Sequence, residues 1–335
     1  MISSTILIVA GNEVTPQKRW NLLSVLIIMD IVSKFLGGMI GSAIGDAVGE
    51  LAFRFSGKDQ LLAQLDQEPE LSYTDDTAMA IGLAESIIKE GRIDQNHLGE
   101  RFRRNFEKEP WRGYASGPPA IFSMVRRFQV SYPEAARKLF GGSGSLGNGA
   151  AMRVVPVGLF FYNAPDLRDQ ACISAEVTHT HPIGMDGAAI QARAIAQAVR
   201  MDPKAPFPMN DFMQDLNDFS ETSEIREKMV TVQDAISGGL SPHETAARIG
   251  RSVAVHESMP FAVYAFLRNA RSFEACLLCA VLNGGDRDTL GAMACAISGA
   301  YLGIDAIPRP WRDKLENRAY IECLARKLAN MAEQR

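Results

Sequence analysis

Cysteine is scarce in this sequence, with 5 residues among 335. A small, odd number of cysteines in a chain of this length excludes a disulfide framework. Cys276 and Cys279 form one CxxC pair, but its flanks are apolar and no second pair follows at zinc spacing. Buried packing is therefore favoured over zinc or redox chemistry. This cysteine usage predicts a cytoplasmic protein.

An excess of basic residues is also missing, because the formal net charge is −4. No global positive field attracts nucleic acid or an acidic membrane surface. The apolar run 22–28 is shorter than the roughly 20 residues that span a bilayer, and it lacks a signal-peptide cleavage site. We therefore expect no nucleic-acid or membrane partner, and we expect a monomer.

The N-terminal segment differs from the rest of the chain. Met29 begins a stretch that looks like a natural protein start. We interpret residues 1–28 as a start-site extension or a weakly packed tail. The predicted organisation is an N-terminal extension of doubtful order, residues 1–33, followed by one domain, residues 34–335.

Strand signals are few, and helical periodicity dominates after residue 34. Residues 77–91 carry an apolar stripe and end at glycine, and residues 241–249 begin with a capping box. Residues 154–161 fit either a strand or a buried helix. We expect one helix over 310–331 and a surface connection over 202–222. The predicted fold is all-α, a single compact multi-helix domain.

Two distant segments share a pattern in which two aspartates and a threonine stand at the start of an apolar helix. Such residues are favoured helix caps, so either segment alone is explained by capping. The members of the pattern are Asp75, Asp76 and Thr77 in YTDDTAMAI, and Asp286, Asp288 and Thr289 in NGGDRDTLGA.

The two acidic segments suggest a metal site if they converge. Four carboxylates in one small volume would raise one another's pKa values unless a cation neutralised them. Ligands that are all oxygen select a hard ion, Mg²⁺ or Mn²⁺ in preference to Zn²⁺. Four carboxylates suffice for two ions. Arg287 is a competing neutraliser, although we expect its side chain to point away from its aspartate neighbours.

Two further segments suggest ligand contacts. The loop GGSGSLGNG, residues 141–149, places five glycines within nine residues; it is either an anion-binding nest of backbone N–H groups or a flexible linker. It matches neither nucleotide-binding glycine fingerprint. His179 and His181 precede a helix, and contact with a ribose or phosphate is favoured over metal ligation.

These four segments, in this order, resemble the ADP-ribosylglycohydrolase family, and the resemblance runs from about Lys34 to Gly303. GGMIGSAIGDAVGE, RGYASGPPAI and ESMPFAVYAFLR are also family-like. The resemblance implies an all-α fold and a centre of two Mg²⁺ ions, for which Mn²⁺ may substitute. It implies hydrolysis of the glycosidic bond at the anomeric carbon of ADP-ribose, carried by a protein side chain or a small conjugate.

The resemblance also implies roles for individual residues. The metal ligands would be Thr74, Asp75, Asp76, Asp286, Asp288 and Thr289. ADP-ribose would lie along Ser145, Gly147, Asn148, Gly149 and Met152, with His179 nearby. The catalytic candidates are Asp75, Asp76, Asp286 and Glu50.

One position departs from the family pattern. Many members carry a glutamate four residues after GDAxG, where this chain has Phe53, and Glu50 comes three residues earlier. That glutamate is thought to be catalytic in members that release ADP-ribose from serine, so the resemblance favours an arginine-linked substrate. Asp46 is expected to cap a helix or to support the site by a hydrogen bond. A non-catalytic ADP-ribose-binding protein and a hydrolase of another ribosyl substrate stay open as alternatives.

Overall fold

The structure is a computed structural model that describes the backbone of residues 16–335 and the side chains of residues 30–335. The described backbone contains 18 α-helices, two 3₁₀ turns and no β-strand, which confirms the all-α prediction. The helices are α1 Pro16–Arg54, α2 Lys58–Gln67, α3 Asp75–Glu90, α4 Gln95–Lys108, α5 Gly117–Phe128, α6 Tyr132–Arg137, α7 Gly149–Met152, α8 Val155–Phe160, α9 Leu167–Glu176, α10 Pro182–Arg200, α11 Met209–Phe219, α12 Ser223–Ser237, α13 Pro242–Ile249, α14 Val255–Arg268, α15 Phe273–Val281, α16 Arg287–Leu302, α17 Arg309–Lys314 and α18 Arg318–Ala332.

Helices α1 and α16 form the centre of the fold and touch backbone to backbone. A Cβ atom on Gly45 would lie 2.1 Å from the carbonyl oxygen of Gly291, and the reverse distance is also 2.1 Å. A Cβ atom on Gly49 would lie 2.5 Å from the Cα atom of Asp288. Only glycine permits such an approach. The C-terminal part of α1 is thereby placed beside the first turn of α16.

The described part of α1 is long and apolar enough, by length and composition, to cross a membrane. However, 89% of the apolar window within Asp30–Arg54 is buried inside the fold. Phe35, Ile40 and Ile44 are fully buried in the same hydrophobic core as α16. Burial of this kind is what the central helix of a globular domain requires.

Several helix predictions are confirmed. Helix α3 ends at Gly91, which adopts the left-handed conformation with φ +66°. The capping box before α13 is present, since Ser241 and Glu244 exchange hydrogen bonds. The segment 154–161, which fits either a strand or a buried helix by sequence, contains the buried helix α8.

Two predictions were wrong. The segment 202–222 contains helix α11, because Phe212 and its apolar neighbours form a buried stripe. The single helix expected over 310–331 is two helices, α17 and α18. They separate where Leu71 donates to the carbonyl of Lys314 and accepts from the N–H of Glu316.

The predicted extension, residues 1–33, is only partly described. Residues 1–15 lie outside the described residues, and helix α1 begins at Pro16, within the predicted extension. The division between an extension and a domain starting at residue 34 stays a prediction.

Candidate active site

Eleven of the thirteen predicted site residues lie around one cavity of about 610 Å³, which we call the first cavity. A cavity of this volume is in the range that encloses small-molecule ligands. The eleven residues are Asp75, Asp76, Ser145, Gly147, Asn148, Gly149, Met152, His179, Asp286, Asp288 and Thr289.

The start of α3 is held by a side chain from another helix. The fully buried Asp46 of α1 accepts hydrogen bonds from the N–H groups of Thr74 and Thr77 and from both of their hydroxyls, at 2.6–3.1 Å. Thr74 is the N-cap residue by position, but its own side chain makes no capping bond. Asp46 therefore caps α3 from the neighbouring helix α1 and fixes the turn that carries Asp75 and Asp76.

The two acidic segments meet at Asp76, which is 2% exposed. Its Oδ2 accepts from the Thr74 hydroxyl at 3.3 Å and from the Thr289 hydroxyl at 3.4 Å. The second bond joins residues 213 positions apart in the sequence. Its Oδ1 is buried and has no hydrogen-bond partner among the described residues. The convergence on which the metal hypothesis depends is thus present.

The second acidic segment is oriented by a glycine turn and by the glycine-rich loop. Gly285 has φ +77°, and a Cβ atom there would lie 2.1 Å from the carbonyl oxygen of Arg251. That same carbonyl accepts from the N–H of Asp286 at 2.9 Å. The Asp286 carboxylate accepts from the amide of Asn148 at 2.7 Å, and Asn148 also donates to Ser258. The loop and the acidic segment are thereby linked directly.

Burial and mutual repulsion raise the carboxyl pKa values in this cluster. Burial, followed by the nearby Asp46, raises the pKa of Asp75 to about 7. Burial, followed by Asp286, raises the pKa of Asp288 to about 8. The pKa of Asp76 is raised well above its usual value by burial and by Asp46. Such a cluster needs protons or a cation for charge balance.

Arg153 is a buried cation that lines the first cavity. It is not among the site residues predicted from the sequence. It is 1% exposed, stacks over Phe102 at 4.7 Å, and donates to the carbonyl oxygens of Gly149 and Ser174. Burial lowers its pKa to about 9, so it remains charged at neutral pH. Its charge offsets a small part of the rise in the pKa of Asp75. In the sequence, Arg153 could have been selected by its position as the last residue of the GNGAAMR motif.

His179 contributes a neutral imidazole to the cavity wall. Burial, assisted by the charge of Arg153, lowers its pKa to about 3. Its Nδ1 is 2.7 Å from the hydroxyl of Thr178, and its ring faces Gly149, where a Cβ atom would lie 2.8 Å from Cε1. His181, in contrast, caps α10 by accepting from the N–H of Ile183. The two histidines therefore have different environments.

The glycine-rich loop is fixed at its C-terminal end. The N–H of Asn148 donates to the carbonyl of Val253 at 2.9 Å, and the N–H of Val255 donates to the carbonyl of Leu146 at 3.1 Å. These bonds disfavour a flexible linker. Val253 and Ala254 also line the first cavity, and no sequence motif had singled them out.

The two remaining predicted residues, Glu50 and Thr74, line a neighbouring cavity of about 560 Å³, which we call the second cavity. It shares Gly113 and Asp288 with the first cavity. Phe53 lines neither of these cavities and is 49% exposed. Glu50, three positions before Phe53, therefore lines a cavity that adjoins the acidic cluster.

The donors in the acidic cluster fit a hard cation in chemistry. They are carboxylate and hydroxyl oxygens, and the unpartnered Oδ1 of Asp76 is available to a ligand. Arg287 is no competitor, since it donates to the carbonyl of Val281 and points away from the carboxylates. Among the described side chains, no group of three or more His, Cys, Asp or Glu is already arranged to hold a metal ion. Binding would therefore require the carboxylates to draw together, which their mutual repulsion opposes without a cation.

Comparison with known proteins points to one family. The family model described as ADP-ribosylglycohydrolase matches residues 29–335. The chain is 32% identical to ADP-ribosylhydrolase ARH3 of Homo sapiens over 286 residues, covering 77% of this chain and 78% of that protein. It is 31% identical to ADP-ribosylhydrolase ARH3 of Bos taurus, with 77% and 78% covered. A solved structure titled "ADP-ribosylglycohydrolase-related protein complex" superimposes with a TM-score of 0.69 at 25% identity, covering 91% of this chain and 99% of that one.

Proposed function

The chain belongs to the ADP-ribosylglycohydrolase family, and on that premise we propose that it is a Mg²⁺-dependent hydrolase that releases ADP-ribose from an ADP-ribosylated side chain. Hydrolysis of a glycosidic ADP-ribose linkage follows from the family and from the ADP-ribosylhydrolase relatives. The metal, the residue roles and the acceptor are the finer parts of the proposal.

One observation carries the proposal: both acidic segments and the glycine-rich loop converge on the first cavity. Thr289 bonds to Asp76 across the two acidic segments, and Asn148 bonds to Asp286 across the loop. Helix capping explains neither contact, because each is a hydrogen bond between two side chains and involves no backbone N–H group. A ligand in this cavity would meet carboxylates on one side and backbone N–H groups on the other.

The acidic cluster is the proposed metal centre. When bound there, Mg²⁺ would orient the ribose hydroxyls and polarise the attacking water. Because the donors are all oxygen, Mn²⁺ is the expected substitute and Zn²⁺ is disfavoured. The proposed ligands are Thr74, Asp75, Asp76, Asp286, Asp288 and Thr289.

ADP-ribose is proposed to lie along the glycine-rich loop. Ser145, Gly147 and Gly149 would present their backbone and hydroxyl groups to it, since the absence of side chains on the glycines permits close approach. Met152 would pack against it, and the neutral His179 would donate or accept one hydrogen bond without adding charge.

Proton transfer is assigned to the chain's own carboxylates. A carboxylate at the edge of the cavity would accept the proton of the attacking water as the bond between the anomeric carbon and the acceptor breaks, and it would then return that proton to the leaving acceptor. The candidates are Asp75, Asp76 and Asp286, and Glu50 is a fourth candidate from the second cavity.

The favoured acceptor is arginine, because Phe53 occupies the position of the glutamate associated with serine-linked substrates. We expect an ADP-ribosylated protein or a small ADP-ribosyl conjugate as the partner, and a monomer in the cytoplasm. Phe53 also motivates the second candidate, a protein that binds ADP-ribose without turnover.

The test is release of free ADP-ribose from an ADP-ribosyl-arginine peptide, with Mg²⁺ and with EDTA. Asp286→Ala is expected to abolish release, and Asp305→Ala, at a side chain that is 93% exposed, is the matched control. Mg²⁺ should also raise the melting temperature of the wild type, and of Asp286→Ala much less. Tight ADP-ribose binding without release from any conjugate would replace the hydrolase with the binding protein.

A further inference from the structure

The second cavity adjoins the acidic cluster, and no residue of the glycine-rich loop lines it. Gly113 and Asp288 line both cavities. Glu50 follows Gly49, which approaches the backbone of Asp288 so closely that a Cβ atom would lie 2.5 Å from its Cα. A group attached to the anomeric carbon of a ribose in the first cavity would therefore have the second cavity next to it.

The second cavity already holds one guanidinium group, that of Arg112. Its nitrogen atoms donate to Glu109 at 3.0 and 3.2 Å and to Glu316 at 2.6 and 2.8 Å. Its plane lies over the ring of Tyr73, 4.2 Å from the ring centre. Carboxylates and an aromatic face are the partners that a guanidinium prefers.

The same cavity also contains a second aromatic side chain, Trp111, and a further carboxylate, Glu50. Trp111 is 71% exposed although it lines the cavity. Glu50 also lines it and makes no ion pair or side-chain hydrogen bond with any described residue. The two glutamates bound by Arg112 and the unpaired Glu50 leave the wall with more negative than positive charge even when Asp288 is not counted. The cavity is thus suited to a cation with a flat face.

We propose that the second cavity is the acceptor subsite and that it binds the guanidinium of an ADP-ribosylated arginine, an inference that rests on the proposed function. Trp111 stacks on the guanidinium, and Glu50 accepts hydrogen bonds from it. A serine acceptor is neutral and carries no flat group, so it gains neither contact. Trp111 and Glu50 are specificity-determining residues by this assignment.

The test compares two peptides of the same sequence, one ADP-ribosylated on arginine and one on serine, with Mg²⁺ present. Trp111→Ala should lower kcat/KM for the arginine conjugate by about 3- to 30-fold, the range of a cation–π contact. It should change kcat/KM for the serine conjugate less than twofold. Trp111→Phe should restore most of the loss, and Phe128→Ala, at an aromatic side chain that is 56% exposed and lines neither cavity, should change neither value.

Glu50 is tested through product inhibition, which measures binding apart from the chemical step. The unmodified arginine peptide should inhibit release more strongly than the same peptide with citrulline, the neutral isostere. Glu50→Gln should bring the two inhibition constants together.

The possible results distinguish failure of the subsite proposal from failure of the proposed hydrolase function. Equal effects of Trp111→Ala on both conjugates, or wild-type release from the serine conjugate alone, would overturn the subsite and leave the hydrolase standing. Failure of the wild type to act on either conjugate would overturn the hydrolase and the subsite together.

Discussion

Removal of Asp46 tests whether one buried carboxylate organises the site from outside it. In Asp46→Ala, the N–H groups of Thr74 and Thr77 lose their acceptors at the start of α3. The Thr77 hydroxyl loses its acceptor as well, and the Thr74 hydroxyl keeps only its bond to Asp76. Helix α3 would then begin without any cap, since Thr74 provides none.

The expected loss follows from the number of donors left without partners. Each buried donor costs about 1–3 kcal/mol when it is left unsatisfied, so the two N–H groups give about 2–6 kcal/mol. Removing a fully buried carboxylate, whose pKa burial has raised to about 6, offsets part of this cost. We expect Asp46→Ala to lower the free energy of unfolding by about 2–4 kcal/mol. Asp46→Asn should lower the free energy of unfolding by about half as much, since one acceptor oxygen remains.

Asp186 offers a matched control. It is 2% exposed, accepts from the N–H groups of Glu221 and Thr222 and from the Thr222 hydroxyl before α12, and lines neither cavity. Asp186 also pairs with Arg168 at 2.9 Å, so urea unfolding should show a loss for Asp186→Ala at least as large as that for Asp46→Ala. ADP-ribose release per folded molecule should fall at least tenfold only for Asp46→Ala. Full turnover in that variant, or a stability loss below about 1 kcal/mol, would refute the positioning role.

Two further predictions concern packing and pH. Gly45→Ala should lower the free energy of unfolding by about 2–3 kcal/mol or more, because its Cβ would meet the carbonyl oxygen of Gly291 at 2.1 Å. Gly91→Ala, which meets nothing within 4 Å but has φ +66°, should cost only about 1 kcal/mol in the same urea titration. For His179, the pKa is lowered from 6.5 to about 3 in the folded protein, so its unfolded form takes up a proton first as the pH falls. Its stabilising contribution is therefore present above about pH 6.5 and is lost between there and about pH 3. The difference in unfolding free energy between pH 7 and pH 4 should be smaller in His179→Gln than in the wild type, and an unchanged difference would contradict the lowered pKa.

The periodicity of the sequence predicted helices well where one buried stripe or a cap defines them. Helix α13 and the end of α3 at Gly91 are examples. Periodicity failed over 310–331, where the structure has two helices. The break between α17 and α18 depends on backbone hydrogen bonds to Leu71, which lies more than 240 residues away along the chain. No local pattern carries that information.

The candidate site could be anticipated by residue type, since paired aspartates, glycine-rich loops and the GNGAAMR motif are visible in the sequence. Arg153 was missed, because an arginine at a helix end ordinarily indicates a surface residue. Only the packing shows that its side chain is buried behind Asp75. The second cavity was likewise invisible, because its walls come from five separate segments.

The sequence by itself determined the class of fold, the oxygen-rich character of the site and the family, since these depend on residue type and on local periodicity. The tertiary structure decided that Thr289 meets Asp76, that Asp46 caps a helix other than its own, and that Glu50 faces a cavity beside Asp288. Those contacts depend on the glycine-mediated approach of α1 and α16. That approach fixes distances between residues that are far apart in the chain, and such distances are a property of packing that local sequence does not encode.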